Sequence, residues 1–452
     1  MPVSAALLLA VLNPMGLRQA TDAESRTLYA RLAAPFYSAA GQAEIAVVLI
    51  DDETLSAMGE SFPPSFGMYG ALVETVEMAG GRGVFFDLAF LDKRGAPGSL
   101  EAFADTLSLL PVVLGAPKTA LDASQCGRPG LTNLAPLAAR AAEEAHVNIA
   151  QDSSQVFLRS TDPCRPGGRP AAAAALYRIW CAGRSDCSVP DDAAPMAVRW
   201  GEAFPAGYAA AHPGLHGLDA VCPSAAHRLL RSARILLGEL GYGLGGEQSL
   251  RLPPLCSYHP VLKAEWLLAP DGTHADARAV MDLLRERMVL IGGSLSGEQD
   301  IAHSPVFGDV PGVYVHAMAL DNLMTLGSRY YRPWPGLWGG LGWNDLIEVL
   351  LLALFGWCGN WLRHRYRRGR QEENAWRNVR AAALVAGLLL LAGLVVGLGT
   401  VLACVEVLRF EPINWVGLFL ACWVIAYPMV VELLERAAAC PRGGWRRNGR
   451  AA

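Results

Sequence analysis

The apolar residues of this chain come in runs of two lengths, and run length decides what each can become. The short runs are strand-sized. Ile45 to Ile50 reads Ile-Ala-Val-Val-Leu-Ile and stops at Asp51 and Asp52. A run without alternation fits a strand buried on both faces, as in a parallel sheet. Val84-Phe85-Phe86 repeats the pattern and stops at Asp87. Between them Tyr69, Leu72, Val73, Val76 and Met78 form a helical stripe, closed by Gly80 and Gly81. Strand, helix and strand together predict a β-α-β unit. Glu101 to Leu109 predicts a second helix and Pro111 to Gly115 a third strand. Met288 to Gly293 predicts another buried strand ending in a glycine turn, and His316 to Met324 a helix after it.

The long runs extend from Leu341 to Leu362, from Ala381 to Cys404 and from Ile413 to Val431. Each is close to the ~20 apolar residues a helix needs to cross a bilayer. The loop after the first run reads Arg363, His364, Arg365, Tyr366, Arg367, Arg368, Gly369, Arg370. Short loops rich in Lys and Arg stay in the cytoplasm, so everything before Leu341 is expected outside. Arg442, Arg446, Arg447 and Arg450 suit a cytoplasmic end, and Trp334, Trp338 and Trp343 suit a membrane interface.

The expected fold class is therefore an α/β extracytoplasmic domain with a mainly parallel sheet, followed by an all-α membrane domain of three transmembrane helices. The boundaries read as follows: residues 1–24 a remnant signal or N-terminal anchor, 25–335 the outer domain, 336–432 the three helices, and 433–452 a short cytoplasmic tail. Within the outer domain, 119–280 is a disulfide-rich elaboration. Ala5 to Leu12 is apolar but short, and no Lys or Arg precedes it as in a signal peptide.

The 452 residues are 52% hydrophobic and carry a net charge of −4, too little to argue for nucleic acid as a partner. Ten cysteines divide by compartment. Cys126, Cys164, Cys181, Cys187, Cys222 and Cys256 fall in the outward part, where disulfides are expected. The close pair Cys181 and Cys187 is the first choice for a bridge. A zinc site is the alternative, but the chain offers no CxxC or HExxH spacing for it. No cofactor is expected.

Asp51, Asp52 and Asp87 stand at the carboxyl ends of neighbouring strands, the edge where open α/β sheets bind ligands. Asp300 and His316 follow another strand and are the further members of this candidate ligand or cation site. The competing reading is structural: Asp51 or Asp52 caps the next helix, and His316 packs in its own. Gly292-Gly293-Ser294-Leu295-Ser296-Gly297 lacks the Gly-Lys-Ser/Thr end of a phosphate loop and reads as a turn. No nucleophile elbow or Ser/His/Asp order is recognisable, so enzyme activity is not expected. Asp345 and Glu348 sit in the first turns of the first long run, where acids suit a helix start. Gly393 and Gly397 make a GxxxG pair that permits close helix packing with a second copy or a partner.

Three segments resemble the CHASE2 family, the extracellular sensory domains of bacterial transmembrane receptors. The first is Ile45 to Leu55, like the family's opening strand and acidic turn. The second is Val84-Phe85-Phe86-Asp87-Leu88-Ala89-Phe90. The third runs from Val289-Leu290-Ile291-Gly292 through Asp300 and Ser304-Pro305 to Pro311-Gly312-Val313-Tyr314-Val315-His316-Ala317. Phe62-Pro63-Pro64-Ser65-Phe66 departs from the family's Pro-Trp-Pro and carries no Arg. The resemblance implies a sensor in the bacterial inner membrane. It would bind an extracytoplasmic ligand or envelope protein and signal to a separate cytoplasmic output protein. The chain ends about 20 residues after the last long run, which is why a separate output is expected. The alternative is a structural or scaffold subunit of an envelope complex. Expected partners are thus the lipid bilayer, the outer ligand, the output protein and a second copy.

Overall fold

The computed structural model describes residues 17–38, 40–116, 133–149, 155–160, 168–185, 187–188, 190, 194–201, 232, 258–269, 276–297, 300–338, 341–368, 387, 391, 395–420 and 431. The chain divides into two compact units, one of Tyr29–Pro333 and one of Met1–Leu28 with Trp334–Ala452. In chain order the elements are α1 (Leu17–Ala33), β1 (Ile45–Asp51), α2 (Asp52–Met58), α3 (Phe66–Met78), β2 (Gly83–Phe86), α4 (Ser99–Thr106), β3 (Val112–Ala116), α5 (Ala135–Arg140) and β4 (Glu143–His146). Then come β5 (Gln155–Phe157), β6 (Arg159–Ser160), β7 (Arg169–Pro170), α6 (Ala172–Cys181), β8 (Pro195–Ala197), β9 (Val261–Lys263), α7 (Ala264–Leu268) and α8 (Ala277–Leu284). β10 (Met288–Ser294), β11 (Ile301–Ser304), β12 (Gly308–Pro311), α9 (Val313–Leu326), β13 (Gly336–Trp338), β14 (Leu341–Gly342) and α10 (Trp343–Arg368) complete the series.

The first unit is built on a six-stranded sheet of order β4-β3-β2-β10-β1-β9. Every pairing in it is parallel. The four strands expected from the short apolar runs are β1, β2, β3 and β10, and they are the sheet's centre. β10 returns late in the chain to lie between β1 and β2, in register Val47 with Leu290 and Val289 with Val84. Side chains alternate between two cores. On one face Phe85, Val113 and Leu290 meet α6 and α9. On the other Val48, Phe86, Leu114 and Ile291 meet α3, α4 and α8. The layers are therefore helix, sheet, helix, which is why the strands are apolar throughout.

α9 passes across one face of this sheet against the strand direction. A Cβ on Gly292, near the carboxyl end of β10, would lie 2.7 Å from the Cβ of Val313 at the start of α9. A Cβ on Gly41, ahead of β1, would lie 2.5 Å from the Asp321 carboxylate further along the helix. Glycine at these two positions lets helix and sheet close together. Cys181, the last residue of α6, is bridged to Cys187 with a Cα–Cα distance of 5.5 Å, as the spacing suggested. Cys126, Cys164, Cys222 and Cys256 lie outside the described residues.

The second unit corrects the expectation of three transmembrane helices. Among the described residues no helix is long and apolar enough to cross a membrane. α10 covers the first long run, but its apolarity is one-sided. Leu346, Leu350, Leu354, Trp357 and Trp361 are exposed, while Asp345 and Glu348 are buried. The Asp345 carboxylate accepts from the Gly342 amide at 2.6 Å, and Glu348 accepts from the Asn414 amide at 2.9 Å. The acids thus make backbone contacts along α10. Of the second run, residues 381–386, 388–390 and 392–394 lie outside the described residues, and its last two residues enter a π-helical turn, Ala403–Val407. In the third, helix begins at Trp415, and residues 421–430 lie outside the described residues. A count of apolar residues does not read the buried acids of α10. Gly393 lies outside the described residues.

Candidate functional site

The carboxyl edge of the sheet gathers polar residues from five strands and α9. β1 delivers Asp51, whose side chain accepts from the Thr54 amide at 2.8 Å and so caps α2. Its other oxygen lies 3.3 Å from Lys263 Nζ, at the end of β9. Glu53 also pairs with Lys263. Burial works against the lysine's charge, but the Glu53 and Asp51 carboxylates outweigh it and raise the ammonium pKa. The exposed Asp52 accepts from the Ser296 amide at 2.8 Å, in the turn after β10, and that bond holds its carboxyl below the usual range. These two acids therefore cap a helix, neutralise a lysine and pin a turn.

Asp87 is different. It follows β2, and its side chain is 5% exposed. Its Oδ1 lies 3.7 Å from Nε2 of His316, which projects from the first turns of α9 and whose side chain is 2% exposed. The Phe85 ring meets the imidazole edge-on at 5.6 Å. Nδ1 of His316 is buried with no hydrogen-bond partner among the described residues. Desolvation, with a smaller push from His146, holds the His316 pKa down to about 3, so the ring is neutral near pH 7.

His146 is the residue that the sequence did not single out. It ends β4, is 1% exposed, and bridges to Ala171 at the start of α6. Its Nδ1 accepts from the Asn148 amide at 3.3 Å, and the Phe157 backbone is close enough to favour the charged ring. Burial, then the charge of Arg169, lowers its pKa to about 4. Arg169 lies 3.8 Å from Glu144, both largely buried, and Glu144 accepts from the Asn133 amide at 3.0 Å. The edge therefore carries Asp87 and two neutral imidazoles, and Nδ1 of His316 has no hydrogen-bond partner among the described residues. An unmet polar atom inside a protein costs stability and calls for an explanation.

The five predicted site residues thus separate into groups. Asp87 and His316 come together. Asp51 and Asp52 stand at the neighbouring strands with structural partners of their own. Asp300 stands just before β11, outside the six-stranded sheet; its backbone carbonyl accepts from the Gly312 amide at 3.1 Å, just ahead of α9, and desolvation raises the pKa of its carboxyl. Among the described residues no group of three or more His, Cys, Asp or Glu is placed to hold a metal ion. His146 gives little signal in the sequence. Glu-Glu-Ala-His has no apolar run, and only its place in an edge strand brings it to the cluster.

The model of the CHASE2 domain family matches residues 4–358. No curated protein and no solved structure matches the chain.

Proposed function

The chain belongs to the CHASE2 domain family, whose members are sensory domains, and on that premise we propose that it senses a ligand at the carboxyl edge of its parallel sheet. The observation that carries the reading is the buried Asp87 and His316 pair with its unsatisfied imidazole nitrogen. A ligand able to hydrogen-bond that nitrogen and the Asp87 carboxylate would offset the cost of burying them. His146 is the third member, and Lys263 with Asp51 and Asp52 forms the outer rim. CHASE2 domains are extracellular sensory domains, which supports a periplasmic location for this unit. The occupied state would be read by an envelope or cytoplasmic protein that binds this chain.

Thermal denaturation of the full chain tests the reading against a panel of divalent cations, inorganic anions and amino acids. One member should raise the unfolding midpoint of the native chain and leave that of His316→Gln unmoved. Equal shifts in both chains, or no shift with any of them, would count against the site and favour a scaffold role.

A further inference from the structure

Both ends of the unit Tyr29–Pro333 meet the same helix. Asp321 and Asn322 of α9 are completely buried and lie five and six residues beyond His316. The Tyr37 hydroxyl, just after α1, donates to Asp321 Oδ1 at 2.8 Å. Thr325 donates to the same oxygen at 3.0 Å, and His259 Nε2 lies 3.1 Å from Oδ2. Asn322 Nδ2 donates to the Tyr37 hydroxyl at 3.0 Å and to the Arg199 carbonyl at 2.8 Å. Its Oδ1 accepts from the Arg199 amide at 2.9 Å. The Arg199 guanidinium in turn covers Tyr331 at 4.4 Å and Tyr29 at 5.3 Å. Tyr29 opens the unit, and Tyr331 lies two residues before its last, Pro333. One hub on α9 therefore holds the place where the chain comes in and the place where it leaves.

The same helix begins at the candidate site. Between His316 and Asp321 a helix rises about 7.5 Å, and the helix packs closely on the backbone at Gly292 of β10 and at Gly41. We propose that α9 is the output element of the sensory unit: the state of Asp87 and His316 sets how firmly the Asp321–Asn322 hub clasps the two chain ends. This rests on the reading of Asp87 and His316 as the ligand site. It adds where the signal goes. A buried network of this kind is suited to two discrete arrangements, because a partly satisfied one is costly.

Hydrogen exchange on the full chain, with no ligand added, tests the coupling. Asp87→Asn and His316→Gln should each speed amide exchange in residues 34–38 and 330–333 by about tenfold, with α3 and α4 on the opposite face unchanged. Asn322→Ala breaks the hub directly and sets the full size of the effect. In that background His316→Gln should add nothing at the chain ends. Unchanged exchange at both ends, a uniform change over the whole unit, or full additivity with Asn322→Ala would overturn the proposal. Because no ligand is used, such a failure leaves the ligand-site reading to its own test.

Discussion

His316 Nε2 lies 3.7 Å from the Asp87 carboxylate inside the protein, yet the imidazole is held neutral. Burial outweighs the neighbouring charge. A folded-state pKa below that of the unfolded chain has a fixed consequence for stability. The unfolded chain takes up protons near pH 6.5, while folded His316 and His146 wait until about 3 and about 4. Stability from these groups is complete above pH 7 and is lost as pH falls towards 4. His146 accounts for a loss on the order of 3 kcal/mol at pH 4. Urea denaturation at pH 7.5, 6, 5 and 4 measures it. His146→Gln should flatten part of the profile, and a profile already flat in the native chain would contradict the placement of both rings.

Asp51 separates its two roles by substitution. Asn caps a helix almost as well as Asp, so Asp51→Asn should cost a few tenths of a kcal/mol from the cap. Asp51→Ala should cost about 1 kcal/mol, with the remainder of any loss due to Lys263. Urea midpoints of the two variants give the difference. Equal losses would mean that the cap at Thr54 contributes nothing.

Gly292→Ala should destabilise the fold by about 1–3 kcal/mol, because the new Cβ would lie 2.7 Å from Val313 Cβ and force α9 off β10. Gly297→Ala meets no atom but sits at φ 96°, so its cost is one of backbone strain in the turn. The first substitution should weaken ligand binding as well as stability, and the second should affect stability alone.

The sheet's centre was legible because β1, β2, β3 and β10 are buried on both faces and their sequences carry no polar interruption. The same rule hid the edges. β4 is Glu-Glu-Ala-His, polar because it borders the sheet, so His146 left no apolar trace. β9 is three residues long, and Lys263 became visible only when β9 paired with β1. Asp87 and His316 are far apart in the chain, and only the return of β10 between β1 and β2 brings α9 over β2. The long apolar runs misled for a related reason. Counting apolar residues over α10 did not register that Asp345 and Glu348 lie on its buried side, bonded to backbone amides.

The bridge between Cys181 and Cys187 closes a short loop around Arg184, which stacks on Trp180 at 3.9 Å and reaches Glu44 at 3.4 Å. Replacing both cysteines with Ser should cost about 2 kcal/mol by releasing that loop in the unfolded chain. It should also change the Trp180 emission. An unchanged midpoint under oxidising conditions would show the loop to be held by Arg184 and Glu44 alone.

The central claim is that the carboxyl edge around Asp87 and His316 is where this sensory unit takes its ligand. Isothermal titration of the stabilising compound into the full chain tests it most directly. The account predicts one site in the native chain, retained in Asp51→Asn and weakened at least tenfold in Asp87→Asn and His316→Gln, a loss of about 1.4 kcal/mol or more. Undiminished affinity in Asp87→Asn and His316→Gln, with both variants folded, would contradict it.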